Sequence, residues 1–530
     1  MAQRVDVPVL IAGGGPTGLS LAIMLRRFGV DVRVIDRNAQ AATVSKALAV
    51  WSGSLEALHA MGAVAEFEAD GARLNSLIVG DGAKPLAALA VGEGIDSPYP
   101  FPLLLPQSRT EEILTARLAE LGGTLERGVE LAAFSQDADG VTARLTHADG
   151  REEEVRAAYM VGTDGARSTV RRTLDIAFDG YTEPQMFLLG DVKIDGGALD
   201  HRSIYIWWHN GATVALFPFE THTWRIFGAR ADATNEAPPT LEELQAYMDR
   251  HGPPGCKLRD PTWLSAFRTN ERLAAKYRVG RVFIAGDAAH IHSPAGGQGM
   301  NTGMQDAFNL AWKLASVLAG RGDASVLLDS YEAERRPVAH DVVKGAAQKL
   351  HIAFAGNRIT QLVRDLAVTV MGNLPAAQKK LQTELSETAV TYHDGPLVAL
   401  GAPPRSPSRT EVGTRALDAV FSDPATGASA ALWPLIGGTA HTLLLFPDAA
   451  TPLTVDAATV GCGDALRVVS LPPASDPQGL VRERYRITKP GWVLVRPDQV
   501  IAARGPAGDL APLANYLDRV VRPAPGASAA

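Results

Sequence analysis

A glycine-rich turn between a strand pattern and a helix pattern limits the fold of this chain more than any other feature. Residues 5–12 form a compact apolar run rich in β-branched residues, residues 16–28 carry apolar side chains at helical spacing, and residues 30–35 alternate like a second strand. The turn at residues 13–18 reads Gly-Gly-Gly-Pro-Thr-Gly, which matches G-x-G-x-x-G, and Asp36 closes the second strand. The order of these patterns predicts a β-α-β unit of the Rossmann type.

The chemistry of this turn predicts a dinucleotide site. Glycines let the backbone turn tightly and approach a pyrophosphate, whose charge is stabilised by the exposed N–H groups and positive dipole of the helix start. Asp36 would accept hydrogen bonds from the hydroxyls of a ribose. The residues of the predicted site are Gly13, Gly15, Pro16, Thr17, Gly18 and Asp36. The turn alone does not separate FAD from a nicotinamide dinucleotide.

Composition and charge narrow the class of protein. The 530 residues are 46% hydrophobic and 21% charged, which excludes a disordered or collagen-like chain. With 51 Lys and Arg against 58 Asp and Glu, the formal charge of −7 argues against nucleic acid as a partner. Cys256 and Cys462 are too few for a disulfide framework, so we expect a cytoplasmic protein. No signal peptide or apolar stretch of ~20 residues is evident, so we expect no membrane segment.

The patterns along the chain predict an inserted lobe and a further C-terminal unit. Three strand patterns within residues 203–229 follow one another without a helix between them, which is typical of an antiparallel sheet. A buried strand pattern returns at residues 282–286, and a long helix is predicted over residues 299–319. Residues 395–410 are rich in proline and predict a linker. Strand patterns and a final amphipathic helix over residues 508–521 follow it.

Two further strand patterns end with an acid beside a glycine. Residues 159–168 read YMVGTDGARS, and residues 281–290 read RVFIAGDAAH. Taken singly, each is a common turn. Together with the glycine-rich turn, and in this order, they resemble the three motifs of the flavin-dependent aromatic hydroxylases with the para-hydroxybenzoate hydroxylase fold. The resemblance extends over nearly the whole chain and is closest to the branch of phenol, hydroxyphenylpropionate and polyketide hydroxylases.

The resemblance implies FAD as the cofactor and assigns further residues to it. Gly286 and Asp287 of the G-D motif would bind the ribityl chain, and Asp164 of the D-G motif would serve both FAD and NAD(P)H. Gln107 matches a glutamine that contacts the flavin. A P-x-x-G-x-G-x-N loop before the long helix would bring backbone N–H groups and the helix dipole to the flavin's pyrimidine edge, where negative charge develops on reduction. The residues of this loop assigned to the cofactor are Pro294, Gly297, Gly299, Met300 and Asn301.

The sequence departs from the family at two positions near the expected cofactor. Lys46 stands where an arginine is usual, so the charge stays but the planar fork of the guanidinium is lost. Gly53 stands where a second arginine is frequent. No other G-x-G-x-x-G follows a strand pattern, so NADPH or NADH is expected to bind transiently over the first lobe.

Two polar clusters are expected to be structural. One matches the family's Y-x-x-E-R-x-P segment through Tyr331, Glu334, Arg335 and Pro337. The other contains His290 and His292 close to Asp287, which raises a metal site as an alternative. We predict no metal, because no third group of ligands is evident. A packing role is expected for both histidines, with proton transfer as the lesser alternative.

The C-terminal part resembles the thioredoxin-like appendage of this branch, with a hairpin over residues 493–504. Its redox motif is missing, because Cys462 is its only thiol, and Gln499 and Ala503 replace the glycine and the aromatic residue common in the hairpin. We therefore expect a packing or dimer-contact role, in a monomer or homodimer. The predicted division is an FAD-binding domain at 1–75, 105–180 and 275–394, a substrate-binding sheet domain at 76–104 and 181–274, a linker at 395–410, a thioredoxin-like domain without C-x-x-C at 411–525, and a tail at 526–530.

The resemblance implies an FAD-dependent monooxygenase that hydroxylates a phenolic or polyketide-like ring with NAD(P)H and O₂ through a flavin hydroperoxide. The candidate substrate residues, from the inserted sheet, are Tyr205, Trp207, His209, Phe217, Arg225 and Phe227. Side chains alternate between the faces of a strand, so about half of these should face away from the substrate. No catalytic base is assigned. Two alternatives stay open: a flavin-dependent reductase or oxidase on the same fold, and a flavin-binding scaffold or pericyclic catalyst without net redox chemistry.

Overall fold

The structure is a computed structural model. The residues that it describes are 5–43, 45, 47–82, 84–92, 94–209, 212–219, 222–294, 296–353, 374–392, 394–401, 411–423 and 426–523. Lys46, most of the predicted linker and the predicted tail lie outside the described residues.

A mostly parallel sheet forms the core of the first lobe. Its main path runs in the order Arg278–Val279, Val282–Ile284, Glu152–Gly162, Val7–Ala12, Val32–Asp36 and Leu125–Arg127. Strands Val129–Gln136 and Val141–His147 extend it as an antiparallel meander from Glu152–Gly162. Helices on both sides explain why the central strands are apolar on both faces. The helices described between the first residue and the C-terminal unit are Pro16–Arg27, Ser52–Met61, Val64–Asp70, Gln107–Glu120, Thr169–Thr173, Leu241–His251, Gly299–Leu318, Ala324–Ala353 and Pro375–Leu385.

The first helix has clear start and stop signals. Pro16 occupies its first turn, where the missing N–H is not needed, and Gly29 follows its end with a left-handed φ of 78°. Val9, Leu10 and Ile11 on the preceding strand are fully buried. The predicted β-α-β unit and the predicted α/β fold class are confirmed.

The inserted lobe is a seven-stranded sheet. Its strands, in spatial order, are Cys256–Phe267, Phe187–Gly196, Thr223–Ala229, Ala212–Phe219, Ser203–His209, Ser76–Asp81 and Lys84–Ala90. All neighbours are antiparallel except the pair Ser203–His209 and Ser76–Asp81. Helix Leu241–His251 covers one face. The other face packs against the first lobe, where Leu350 meets Phe187 and Phe227.

Two small sheets join the lobes. One contains Ala49–Val50, Leu103–Leu104 and Ala72–Arg73, and the other contains Phe178–Thr182, Asn270–Ala274 and His290–Ile291. Each draws strands from distant parts of the chain, so the chain crosses between the lobes more than once. The inserted sheet is thereby anchored beside the predicted cofactor motifs.

The C-terminal unit contains a four-stranded sheet in the order Leu466–Ser470, His441–Phe446, Gly491–Val495 and Ile501–Pro506. The first pair is parallel and the other pairs are antiparallel, consistent with the predicted thioredoxin-like unit and its hairpin. Its shorter elements are strands Val420–Ser422 and Ser429–Ala431 and helix Leu480–Arg484.

Two elements of this part differ from the sequence-based prediction in their extent. Helix Pro396–Leu400 forms inside the range predicted as a linker, because Leu397 and Val398 are buried against neighbouring elements. The final helix is shorter than predicted, since an α-helix at Ala511–Tyr516 changes to a π-helical turn at Leu517–Val521.

Candidate active site

The three glycines of the first motif have different surroundings. A Cβ atom on Gly13 would collide with the carbonyl oxygen of Thr163, and one on Gly18 would collide with the carbonyl oxygen of Gly13. A Cβ atom on Gly15 would meet nothing within 4 Å. Gly13 and Gly18 therefore permit close packing, whereas Gly15 borders open space at the start of helix Pro16–Arg27. Open space beside unpaired N–H groups of a helix start fits a dinucleotide phosphate.

Asp36 holds the same turn through its carboxylate. Oδ2 accepts a hydrogen bond from the Gly14 N–H at 2.9 Å, and Oδ1 accepts one from the Asn38 N–H at 2.8 Å. The carboxylate is therefore fixed at the end of the second strand. This is the place where a bound dinucleotide would present a ribose.

Thr17 brings the first motif into contact with the G-D motif. A Cβ atom on Gly286 or on Gly303 would clash with the Thr17 side chain. The Cβ atom on Gly303 would also lie only 3.2 Å from the Gly286 Cα. Gly303 lies in the first turns of helix Gly299–Leu318. Three segments that are far apart in sequence thus meet at one place. Gly303 was missed by sequence reasoning, although a glycine inside a helix pattern signals close backbone packing.

The carboxylate of Asp164, in the D-G motif, is hydrogen-bonded to residues that follow it closely in sequence. Its carboxylate accepts hydrogen bonds from the Ser168 hydroxyl at 2.5 Å and from the N–H groups of Thr169 at 2.6 Å and Val170 at 3.2 Å. These donors belong to the start of helix Thr169–Thr173. Asp164 therefore caps that helix, which fixes the turn beside Gly13.

Asp287 of the G-D motif has different surroundings. It is exposed, whereas its neighbours Gly286 and Ala288 are buried. Arg171 joins this turn to the D-G motif, because its guanidinium donates to the Ala288 and Ala166 carbonyl oxygens, each at 2.8 Å. Arg171 was missed by sequence reasoning, since no local pattern distinguishes it from its arginine neighbour.

Asn301 fastens the loop before helix Gly299–Leu318. Its Oδ1 accepts from the Trp51 N–H at 2.8 Å, and its Nδ2 donates to the carbonyl oxygens of Ala49 at 2.9 Å and Gly297 at 2.8 Å. The Trp51 indole donates to the Gly296 carbonyl oxygen at 2.9 Å. Because the Asn301 side chain is fully buried and bonded, it shapes the loop from within.

The other predicted residues of this loop lie nearer its surface. Pro294 is exposed, and Gly297, Gly299 and Met300 are partly exposed. His292 lies behind Gly299, where its Nδ1 is 2.8 Å from the Ser293 carbonyl oxygen, and burial lowers its pKa to about 4. The helix therefore begins against a neutral imidazole, with accessible backbone in front of it.

Gln107 is the neighbour of the segment that contains Lys46. Its Oε1 accepts from the Ala47 N–H at 3.3 Å, and its Nε2 donates to Glu111 at 2.9 Å. The Gln107 amide is therefore bonded to this segment through Ala47. Lys46 itself lies outside the described residues, so its predicted role stays a prediction.

Gly53 has no room for the arginine that is frequent in the family. A Cβ atom there would lie 2.9 Å from the carbonyl oxygen of Glu387. The buried Glu387 carboxylate accepts from the Thr302 hydroxyl at 3.1 Å and from the Gln305 amide at 2.5 Å, and burial raises its pKa to about 8. Sequence reasoning missed Glu387, because residues 386–388 carry no motif.

Comparison with known proteins decides the family. Residues 6–346 match the family described as FAD binding domain. The chain belongs to this family of flavin-dependent monooxygenases. This monooxygenase is 37% identical over 531 residues, covering 95% of this chain and 92% of the other, to 6-methylpretetramide 4-monooxygenase of Streptomyces rimosus. The predicted family, and the prediction of an FAD-dependent aromatic monooxygenase, are confirmed.

Solved structures show the same fold over nearly the full length. Anhydrotetracycline hydroxylase from Streptomyces rimosus has a TM-score of 0.75 at 32% identity, covering 97% of this chain and 99% of that one. Aklavinone-11 hydroxylase, solved with FAD and aklavinone, has a TM-score of 0.77 at 27% identity, covering 98% and 99%. The likeness favours a monooxygenase over the reductase, oxidase and non-redox alternatives.

The predicted substrate residues of the monooxygenase divide between the two faces of the inserted sheet. Tyr205 and Trp207 pack with Leu244 and Met248 under helix Leu241–His251, on the face away from the first lobe. His209 follows them with the same alternation, and its Nδ1 lies 2.9 Å from an oxygen of Asp81. These three residues therefore lie on the face of the sheet away from the first lobe, and their role in substrate binding stays a prediction. Both faces of the strand are apolar, so the alternation of side chains does not show which face meets the first lobe.

Phe217, Phe227 and Arg225 lie on the face toward the first lobe. Phe227 stacks on Phe187 with ring centroids 5.0 Å apart. Arg225 is buried, forms a two-fold ion pair with Asp191 at 2.8 Å for both bonds, and also donates to the Ser45 carbonyl oxygen. Arg225 thus links the sheet to the segment beside Gln107.

The histidines of the G-D segment are bonded to protein groups. His290 Nε2 lies 2.7 Å from Asp306 Oδ2, and both side chains are buried. Across the described ranges, no group of three or more His, Cys, Asp or Glu side chains could hold a metal ion.

Within the same ranges, no helix has both the length and the apolar character to cross a membrane.

Proposed function

We propose that this FAD-dependent monooxygenase hydroxylates a polycyclic, phenolic polyketide-type ring system with NAD(P)H and O₂. The observation that carries the proposal is the contact of the glycine-rich turn, the G-D turn and helix Gly299–Leu318 at Thr17, Gly286 and Gly303, beside the open space at Gly15. The glycine-rich turn would bind the ADP part of FAD, and Asp287 would bind the ribityl chain. The start of helix Gly299–Leu318 would then lie at the flavin ring.

FAD, when bound, supplies electron transfer from the nicotinamide and the activation of oxygen. The protein's residues would hold and shield it. The dipole of the helix that begins at Gly299 favours negative charge at the adjoining ring edge. Asn301 and Trp51 keep the loop in one conformation, and the pair Arg225 and Asp191 holds the Ser45 segment opposite it. Such fixed dipoles stabilise developing charge without reorganising during the reaction.

The aromatic side chains on the face of the sheet that meets the first lobe support this substrate class. Phe187, Phe227 and Phe267 form a cluster with ring centroids 5.0 to 6.3 Å apart, and Phe217 lies on the same face. Aromatic side chains favour planar aromatic ligands, because they bury large apolar areas and stack. Relatives named for tetracyclic polyketides support a ligand of several fused rings. We assign no catalytic base.

Substrate-stimulated oxidation of NADPH, coupled to incorporation of ¹⁸O from ¹⁸O₂, tests the proposal. Anhydrotetracycline is the polycyclic probe, 4-hydroxybenzoate is the single-ring control, and NADH replaces NADPH in a parallel series. We expect the polycyclic phenol to accelerate NADPH oxidation and to gain one labelled oxygen atom. Product without ¹⁸O would favour a reductase or a non-redox catalyst. A label found only with the single-ring phenol would overturn the substrate class.

A further inference from the structure

The hairpin of the C-terminal unit inserts a buried charged pair into the first lobe. Arg496 forms a fork on Glu334, with Nη1 donating to Oε1 at 2.7 Å and Nη2 to Oε2 at 2.8 Å. The same guanidinium donates to Asp498 at 2.8 and 2.5 Å. The side chains of all three residues are at most 3% exposed. Glu334 belongs to the segment for which only an architectural role was predicted.

Glu334 is also bonded to the helix that follows the proposed flavin loop. Its Oε2 also accepts from Asn309 Nδ2 at 2.8 Å and from Lys313 Nζ at 2.7 Å, and Asn309 donates to Asp498 at 3.1 Å. Asn309 and Lys313 lie in the middle of helix Gly299–Leu318. The C-terminal unit therefore contacts the middle of this helix directly through Asp498 and indirectly through Glu334.

A second line of contacts leads from Arg496 to the G-D turn. The guanidinium lies 5.5 Å from the centre of the Tyr392 ring, and the Tyr392 hydroxyl accepts from Arg335 at 3.1 Å. Arg335 donates to Asp306 Oδ1 at 2.7 Å, and Asp306 Oδ2 accepts from the Gly286 N–H at 3.1 Å. Arg335 also donates to a carbonyl oxygen in the first turn of helix Gly299–Leu318. Both proposed contacts with the flavin thus connect to Arg496.

The charged groups of this network are buried, so each of them needs a partner of opposite charge. Three carboxylates meet three cations in the network, and none of the side chains is more than 3% exposed. The members are Asp306, Glu334, Asp498, Lys313, Arg335 and Arg496. Removing one partner from a buried ion pair leaves an uncompensated charge, so the remaining groups shift to find another partner. The network is complete only when the hairpin is in place.

We propose that Arg496 is a positioning residue for the flavin site, and that the C-terminal unit, which lacks a dithiol, serves to set the geometry of that site. The inference rests on the proposed assignment of FAD to Asp287 and to the start of helix Gly299–Leu318. It gives the appended unit a role in cofactor binding that needs no redox chemistry of its own.

The test compares Arg496→Lys with Arg484→Met. Lysine keeps the charge but cannot form the fork on Glu334. Arg484 is another contact between the C-terminal unit and the inserted lobe, bonded to Asp96 at 2.5 Å, and lies outside the network. The measurements are the Kd of FAD for protein stripped of flavin, the midpoint potential of the bound flavin, and thermal unfolding. We expect Arg496→Lys to raise the Kd about fivefold or more and to make the potential more negative, and Arg484→Met to leave both within about twofold of wild type.

Three outcomes would overturn the inference. Equal Kd and potential in Arg496→Lys and wild type would remove Arg496 from the flavin site. An equal loss in Arg484→Met would show that docking of the unit matters in general, without a specific path. If Arg496→Lys does not fold, Tyr392→Phe decides, because it deletes only the hydroxyl that accepts from Arg335, and an unchanged Kd there overturns the second line of contacts. Wild-type protein that fails to bind FAD would instead overturn the underlying assignment of the site.

Discussion

The two turns that carry an acid beside a glycine look alike in sequence and differ in structure. In the D-G turn, Asp164 accepts three hydrogen bonds from residues 168–170 of its own chain. In the G-D turn, Asp287 is exposed beside buried neighbours. The same pairing of residue types therefore builds a helix cap in one place and an exposed carboxylate in the other. We infer that the first acid maintains the fold of the site, whereas the second, at the exposed surface of its turn, contributes to FAD binding.

The largest expected effect separates the two aspartates by cofactor affinity. Asp287→Ala should weaken FAD binding by about 1.5–3 kcal/mol, roughly 10- to 150-fold in Kd, because the ribityl hydroxyls lose a charged acceptor. The unfolding free energy of the flavin-free protein should change by less than about 0.5 kcal/mol, since the side chain is exposed. Fluorescence titration with FAD and urea unfolding measure the two quantities. An unchanged Kd would contradict the role of Asp287.

Asp164→Ala should show the opposite distribution. The unfolding free energy of the flavin-free protein should fall by about 0.5–2 kcal/mol, the usual cost of losing a helix cap. The Kd of FAD should change less than in Asp287→Ala, because the Asp164 carboxylate is already bonded within the chain. The same titration and urea unfolding apply. A large loss of FAD affinity with unchanged stability would remove the distinction between the two turns.

The smallest expected effects come from asparagine at the same positions. Asp164→Asn should retain most of the stability, within about 0.5 kcal/mol, because asparagine caps helices about as well as aspartate. Asp287→Asn keeps a hydrogen-bond acceptor but loses the charge. Its loss of FAD-binding free energy should therefore be about half of the loss in Asp287→Ala. The Kd of FAD and the unfolding free energy are measured for all four variants. Comparing alanine with asparagine at each position separates the effect of losing the charge from the effect of losing the hydrogen-bond acceptor. Equal loss of FAD affinity in the two asparagine variants would show that the turns are equivalent.

Much of the fold could be predicted from sequence. Strand and helix periodicity predicted the first β-α-β unit, and the motifs predicted the glycine-rich, D-G and G-D turns that the structure brings together. The binding of FAD by these turns stays a prediction. The face of the inserted sheet could not be predicted. Tyr205 and Trp207 are as apolar as Phe217 and Phe227, and the alternation of a strand gives two sets without saying which set faces the first lobe.

Contacts between distant segments were the other limit of sequence reasoning. Arg171, Glu387 and Arg496 each bond to at least one residue that is far away along the chain, and no local pattern singles them out. The local composition predicts a linker where helix Pro396–Leu400 forms, because proline and glycine dominate these residues and their neighbours. Burial of Leu397 and Val398 by tertiary packing outweighs that local preference.

The close approach of Gly53 to Glu387 also limits how this chain can change. The carbonyl oxygen of Glu387 occupies the position that an arginine side chain at residue 53 would need to pass. An arginine at residue 53 therefore requires residues 386–388 to take another course. A chimera that exchanges residue 53 should exchange residues 386–388 with it.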